Sequence, residues 1–451
     1  MSEAGKTSYR AVLAVPHALS TFAAALVGRL AYGVVFLALV LTVSRSTGSY
    51  SAAGAALALF GLTSSVLAPY RARLVDRHEA RRVLLPMAGL CSALLAGIAV
   101  VGWQSGAHRF ALWVLAAAAG GCVPPLGAFM RTLWARLVPD EQLLQRAYSL
   151  DAVGEELLYV LGPLLAGIFT AFNKPALGVA FSAALLLGGT VFLASSPAAA
   201  NTDPAADPDS DSPDAAAASA SRSLWAGTGL IDPVLVTGGL GLCLGALDLL
   251  VVAFAGAHGS TAEVSWVTAA MAAGSAVGGL LYGARSWRWS LRARLPVLAV
   301  ALGLFCAAAG HAGTMVLFVL AAAVVGLLIS PILTTAYLIS GELGAIGRGT
   351  EASAWVNSAF NAGNAAGAAE SAWSSLICRC AGASRWPALP CWFPPPWSSP
   401  GWPAATAEAT GTPSPPEAPR PPSPARLLGL PRPPSHHRTT SMHCHNDWGM
   451  L

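Results

Sequence analysis

RARLVDRHEARR, Arg71 to Arg82, sets seven charged side chains within twelve residues of a chain whose Asp, Glu, Lys and Arg together make up 11%. Two apolar runs flank it, SAAGAALALFGLTSSVLAP (residues 51–69) and VLLPMAGLCSALLAGIAVVGW (83–103). Either run, coiled as a helix rising about 1.5 Å per residue, crosses a hydrocarbon layer of about 30 Å. The charges therefore read as a loop between two membrane spans, and the fold follows from how often that alternation recurs.

It recurs along most of the chain. Apolar runs bounded by charge, Pro or Gly predict spans near 18–43, 51–69, 83–103, 110–130, 148–171, 175–195, 230–254, 264–284, 295–312, 314–337 and 351–369. The composition agrees: AVILMFWYC residues are 55%, mean hydropathy is +0.58, and soluble domains carry roughly twice this share of charge. The expected fold class is all-α and polytopic. Lys6 and Arg10 precede the first apolar run as in a secretory signal, but the run continues past Arg29 and leads into further spans, so it reads as a retained helix.

Sidedness follows from the basic residues. With the N-terminus cytoplasmic, sixteen of the 26 Lys and Arg fall on inside segments, against Arg45, Arg109 and Lys174 outside, Arg29 within a span and six in the C-terminal tail. The expected location is the cell membrane, multi-pass, with the bilayer itself as a partner. Net charge is +4, and no nucleic-acid partner is expected.

Composition divides the chain. Residues 1–195 form a six-helix membrane bundle. Residues 196–224, with five Asp between Asp203 and Asp214, read as an acidic disordered cytoplasmic linker. Residues 225–369 carry five further spans. Residues 370–451, with 17 of the 32 Pro and four of the eight Cys, read as a Pro-rich disordered tail with the character of an out-of-frame translation, and a twelfth helix is missing there. A weak repeat relates the halves: APYRARLVDRHEARR follows the second span, and GGLLYGARSWRWSLRAR follows the second span of the latter half. Two comparable bundles joined by a linker is an architecture of transporters whose substrate site lies between the halves.

Asp76-Arg77, followed by Arg81-Arg82, resembles the loop motif between helices two and three of the major facilitator superfamily, with Ala72 and Glu79 standing where Gly is usual. The resemblance implies a cytoplasmic gate in which Asp76 meets the positive N-terminal end of helix eleven, beginning near Gly349-Thr350, with Arg77, Arg81 and Arg82 as its basic companions. In the fifth span, Gly154, Gly162, Pro163 and Gly167 resemble part of the helix-bending motif of the family's drug/proton exchangers, in which Gly residues let the two halves approach closely. Leu158 and Ala166 replace two of that motif's glycines. Export is the implied direction, with uptake of a metabolite, or a non-transporting remnant or scaffold, as the other readings.

Charges inside the bilayer single out further residues. Arg29, Glu155, Glu156 and Asp248 each cost at least about 2.5 kcal/mol to insert, so they are expected to face the bundle interior. Glu155 and Glu156 point about 100° apart, so one is expected to pair with Arg29 while the other exchanges protons. Asn357, Asn361 and Asn364 share one helix face, lining a wet cavity or bonding the neighbouring half. Tyr32, Tyr159 and Trp266 are candidate substrate contacts.

Other chemistry is poorly represented. Cys378 and Cys380, or His443, Cys444 and His445, lack a second pair at zinc spacing, and no Walker A pattern occurs. His108, His258 and His311 stand singly, without the clusters a membrane enzyme needs. The expectation is no enzyme, no metal and no cofactor: a monomeric secondary transporter of small molecules driven by the proton gradient.

Overall fold

A computed structural model describes residues 8–104, 106–200, 224–225, 229–258, 262–312, 314–342 and 347–381. A short helix α1 (Tyr9–Leu13) precedes α2 (Ala18–Thr47), α3 (Tyr50–Arg77), α4 (Ala80–Gly102), α5 (Arg109–Gly121), α6 (Leu126–Leu137), α7 (Glu141–Ala171) and α8 (Pro175–Ala194). After a single turn, α9 (Pro197–Ala200), come α10 (Ile231–His258), α11 (Ala262–Ala284), α12 (Leu291–Ala309), α13 (Met315–Gly341) and α14 (Gly349–Ala381). Counting α5 and α6 as one, ten of these are long and apolar enough to cross a membrane among the described residues. The eleventh, α14, carries Glu351 and three Asn and is not among those ten.

Local chemistry sets the ends. Ser49, Asp140 and Thr314 cap α3, α7 and α13 by accepting the N–H groups of Ala52, Leu143 and Leu317. Gly48, at φ +68°, ends α2 in the left-handed conformation that glycine adopts without penalty.

Three boundaries differ from the sequence expectation. The opening charge cluster is mostly helix: α3 runs through Arg77, α4 begins at Ala80, and only His78 and Glu79 lie between. Charge stops membrane insertion but not intrahelical hydrogen bonding, so the helix projects beyond the apolar layer. The span expected as one run over 110–130 is broken at Pro124-Pro125, which lack N–H donors, and Tyr32 Oη donates to the freed Pro124 carbonyl at 2.6 Å. Helix α14 continues to Ala381, twelve residues past the expected end of its span and into the segment read as disordered tail. The Asp-rich run 203–214 and the tail beyond Ala381, with His443, Cys444 and His445, lie outside the described residues.

The two halves pair their helices in the same order. In the first, α2 packs on α7 and α3 on α5; in the second, α10 packs on α14 and α11 on α13. Glycine permits backbone contact at these seams. A Cβ on Gly189 of α8 would strike the Gly28 backbone of α2, and Gly241, Gly245, Gly363 and Gly367 hold α10 and α14 together in the same way.

Among the α7 glycines, Gly162 meets the backbone of Gly33 in α2, and Gly154 sits against Leu26 and Phe22 of α2. Gly167 has nothing within 4 Å of its would-be Cβ. Gly154 and Gly162 therefore close α7 onto its own half, not onto the other half as the motif resemblance implies. Opposite signs follow for one substitution type. Gly167→Ala is expected to stabilise by up to about 1 kcal/mol through helix propensity. Gly162→Ala is expected to destabilise by about 1–3 kcal/mol, because the methyl drives α7 from α2. Thermal unfolding of the purified variants checks both.

Candidate functional site

Helix α7 presents carboxylates toward the centre of the molecule, and its spacing decides their partners. Asp151 and Glu155 are four residues apart and share a face, whereas Glu156 is turned toward the second half. Arg29 of α2 donates from Nη1 to Asp151 Oδ1 at 2.6 Å and pairs through Nη2 with Glu155. Arg131 of α6 donates from Nη2 to both Glu155 oxygens at 2.8 Å, and its Nε lies 3.2 Å from Asp151 Oδ2. Two guanidinium groups and two carboxylates thus form one closed, electrically balanced cluster; Arg29 and Arg131 are each 3% exposed and Asp151 is 1% exposed.

Arg131 also touches the other half. Its guanidinium lies 3.5 Å from the centroid of the Tyr337 ring, and its Nη1 lies 3.4 Å from Ser353 Oγ. Tyr148 Oη of α7 donates to the Arg131 carbonyl at 2.9 Å, tying the middle of α6 to α7. Sequence reading counts Arg131 among loop charges and passes over Asp151. The signal for Asp151 is its four-residue spacing from Glu155 on an apolar helix.

Glu156 stands outside this balance. It accepts from Ser275 Oγ of α11 at 2.9 Å, and Ser275 shares a hydrogen bond of 2.8 Å with Ser330 of α13. No Lys or Arg pairs with Glu156 among the described residues. Asp248 is elsewhere, in α10 beside Val251, Val267 and Met271, without an ion pair among the described residues.

The halves are joined around one end of the bundle, the arginine-rich face. Asp76 of α3 accepts from the Thr350 and Glu351 N–H groups through its two oxygens, at 3.2 and 2.8 Å, at the start of α14. Thr132 and Thr350 share a hydroxyl bond of 2.9 Å. The opposite helix end is treated symmetrically. Gln145 Nε2 donates to the Tyr282 and Arg285 carbonyls at 2.8 and 3.1 Å, and Arg146 Nη2 donates to Ala284 O at 3.2 Å, at the end of α11. An acid thus meets a helix N-terminus and a base meets a helix C-terminus, each at the favourable pole of the dipole.

Tyr9 Oη adds a bond to Leu280 O at 2.7 Å. Burial pushes the Tyr9 hydroxyl up to about 12 against the opposing pull of Arg146, so it remains a donor. Ser358 Oγ, donating to Ser65 O at 2.9 Å, extends the join toward the centre. Arg77, Arg81 and Arg82 are exposed beside it, Arg82 paired with Glu79 at 2.8 Å. Asn357, Asn361 and Asn364 are half-buried on α14, and their amides make no hydrogen bond among the described residues.

Asp76→Ala is expected to remove about 1–2 kcal/mol from the joined state, a fivefold to thirtyfold rise in its open population. Labelling of Ser353→Cys, a buried position near this join, by a water-soluble maleimide should accelerate accordingly.

Comparison with known proteins places this geometry. The Major Facilitator Superfamily profile matches residues 21–368. No curated protein sequence matches. A bacterial homologue of the iron transporter ferroportin, in an outward-facing state, superposes with a TM-score of 0.61 at 14% identity, over 81% of this chain and 91% of that one. The fucose transporter FucP in its outward conformation gives 0.58 at 15% identity, over 82% and 94%. A singly substituted form of the E. coli fucose:proton symporter gives 0.52 at 14% identity, over 82% and 93%. The chain therefore belongs to the major facilitator superfamily, a family of secondary transporters and not of enzymes, and is a multi-pass membrane protein.

Proposed function

We propose that this chain exchanges protons for small molecules across the cell membrane, exporting them by alternating access as a monomer with its N-terminus cytoplasmic. The observation that carries the coupling is Glu156. It is a carboxylate at the junction of the halves whose partner is a hydroxyl, 2.9 Å away, while the neighbouring acids are neutralised by two arginines. A carboxyl group without a fixed cation is free to exchange its proton as the halves separate.

The arginine-rich face is cytoplasmic on this reading, by the excess of basic residues there. The hydrogen bonds grouped around Asp76, Gln145 and Arg146 then close the cytoplasmic side, and two of the proteins that share the fold are described as outward-facing. Export rests on the Gly154, Gly162, Pro163 and Gly167 pattern alone. The E. coli protein that shares the fold is a fucose:proton symporter, so uptake is the second reading.

Proteoliposomes carrying an imposed pH gradient and an internal pH dye test the proposal. Addition of a transported compound is expected to accelerate collapse of the gradient, and the side of addition that works gives the direction. Compound flux that proceeds with no proton movement would remove proton coupling from the proposal.

A further inference from the structure

A vestibule of about 570 Å³ opens between the halves at the arginine-rich face. Arg136 of α6 and Arg294 of α12 line it from opposite halves. Arg294 is 9% exposed, yet its guanidinium has only neutral company. Nη1 donates to Gln145 Oε1 at 3.1 Å and to Tyr282 Oη at 3.0 Å, and Nε has no partner among the described residues. The Trp287 ring lies 5.8 Å from the guanidinium carbon, which offsets part of the charge.

The other buried arginines are held by carboxylates, as Arg29 and Arg131 are, or by main-chain carbonyls, as Arg71 and Arg146 are; Arg294 has neither among the described residues. Two acids also line the vestibule. Glu342 lies 3.5 Å from Arg292, Glu141 is exposed, and neither pairs with Arg136 or Arg294 among the described residues.

We infer that this vestibule is an anion site that takes a phosphate group, bridged between Arg136 of one half and Arg294 of the other. Two guanidinium groups without a carboxylate partner among the described residues, one from each half, suit a doubly charged oxyanion better than a single carboxylate, and planar guanidinium forks match phosphate oxygens. Such an anion ties the halves at the face where they already meet. The inference is independent of transport direction and of proton coupling, because it is read from binding alone.

The test follows thermal unfolding of the purified full chain in nanodiscs of neutral phosphatidylcholine, titrated with inorganic phosphate at constant ionic strength. The midpoint is expected to rise and saturate, as it does for any ligand bound only by the folded state. Arg294→Gln should raise the half-saturating concentration by roughly tenfold or more. Arg109→Gln, at the other end of the bundle, should leave it unchanged.

Ser286→Asp, an exposed wall position, supplies an internal anion and should abolish the response, which keeps the test decisive if Arg294→Gln does not fold. Nanodiscs containing phosphatidylglycerol separate the sources. A shift with free phosphate identifies a soluble ligand, and a shift only with the anionic lipid, lost in Ser286→Asp, identifies a headgroup. No shift with either probe, or an unaltered response in both variants, overturns the inference.

Discussion

Arg131→Met is expected to lower the unfolding midpoint by roughly 5 °C, the loss of about 3–5 kcal/mol that accompanies an orphaned buried charge. The size comes from the arithmetic of the cluster. Arg131 neutralises Glu155 through two bonds of 2.8 Å and helps neutralise Asp151, so its removal leaves a buried and a partly buried carboxylate sharing Arg29. Adding Glu155→Gln restores the balance, one cation with one anion, and should recover more than half of the loss. That recovery separates a charge effect from lost packing against Tyr337, which the double variant does not restore. A single-variant cost below about 1 kcal/mol, the range of exposed ion pairs, would show that the cluster is open to water.

The second large effect concerns Glu156. Glu156→Gln keeps the shape of the side chain and a hydrogen bond to Ser275, so the unfolding midpoint should change little. Proton movement on addition of a transported compound should nevertheless vanish, because an amide does not exchange a proton at neutral pH. Exchange of labelled for unlabelled compound, which needs no net proton transfer, should persist. Glu155→Gln, by contrast, should lower stability, since it breaks the charge balance around Arg29 and Arg131. If Glu156→Gln still moves protons, the coupling group lies elsewhere, and Asp248 is the next carboxylate to test.

Hydropathy makes most of the helices legible, because a run without charge has only the bilayer or a core to enter. It fails where a residue's role is decided by three-dimensional neighbours. Arg71, Arg131, Arg146 and Arg294 carry the sequence signature of loop charges, yet each is buried in a helix of the structure. Arg71 reaches back to the Gly120 and Ser64 carbonyls, a use that its spacing does not announce. Arg131 follows Pro124-Pro125 by only six residues, in a second helical segment that hydropathy over 110–130 does not separate from the first. Arg29, Glu155 and Glu156 are visible because charge on an apolar helix demands explanation. Their division into a neutralised acid and an unneutralised one depends on Asp151 and Arg131, which sit in stretches polar enough to pass as span ends.

The glycine seams have a mechanical consequence. Where Gly33 meets Gly162, Gly28 meets Gly189, and Gly241 meets the backbone of α14, neighbouring helices touch main chain to main chain with no side chain to bend between them. Between the halves the connections are of another kind: single side chains reaching to carbonyls, amides and hydroxyls, such as Gln145, Asp76 and Ser275. Stiffness is therefore distributed unevenly. Each half has the compliance of a solid block, while the junction is compliant enough to yield under the few kilocalories that a bound molecule or a proton supplies, so strain applied anywhere in the structure collects at that junction.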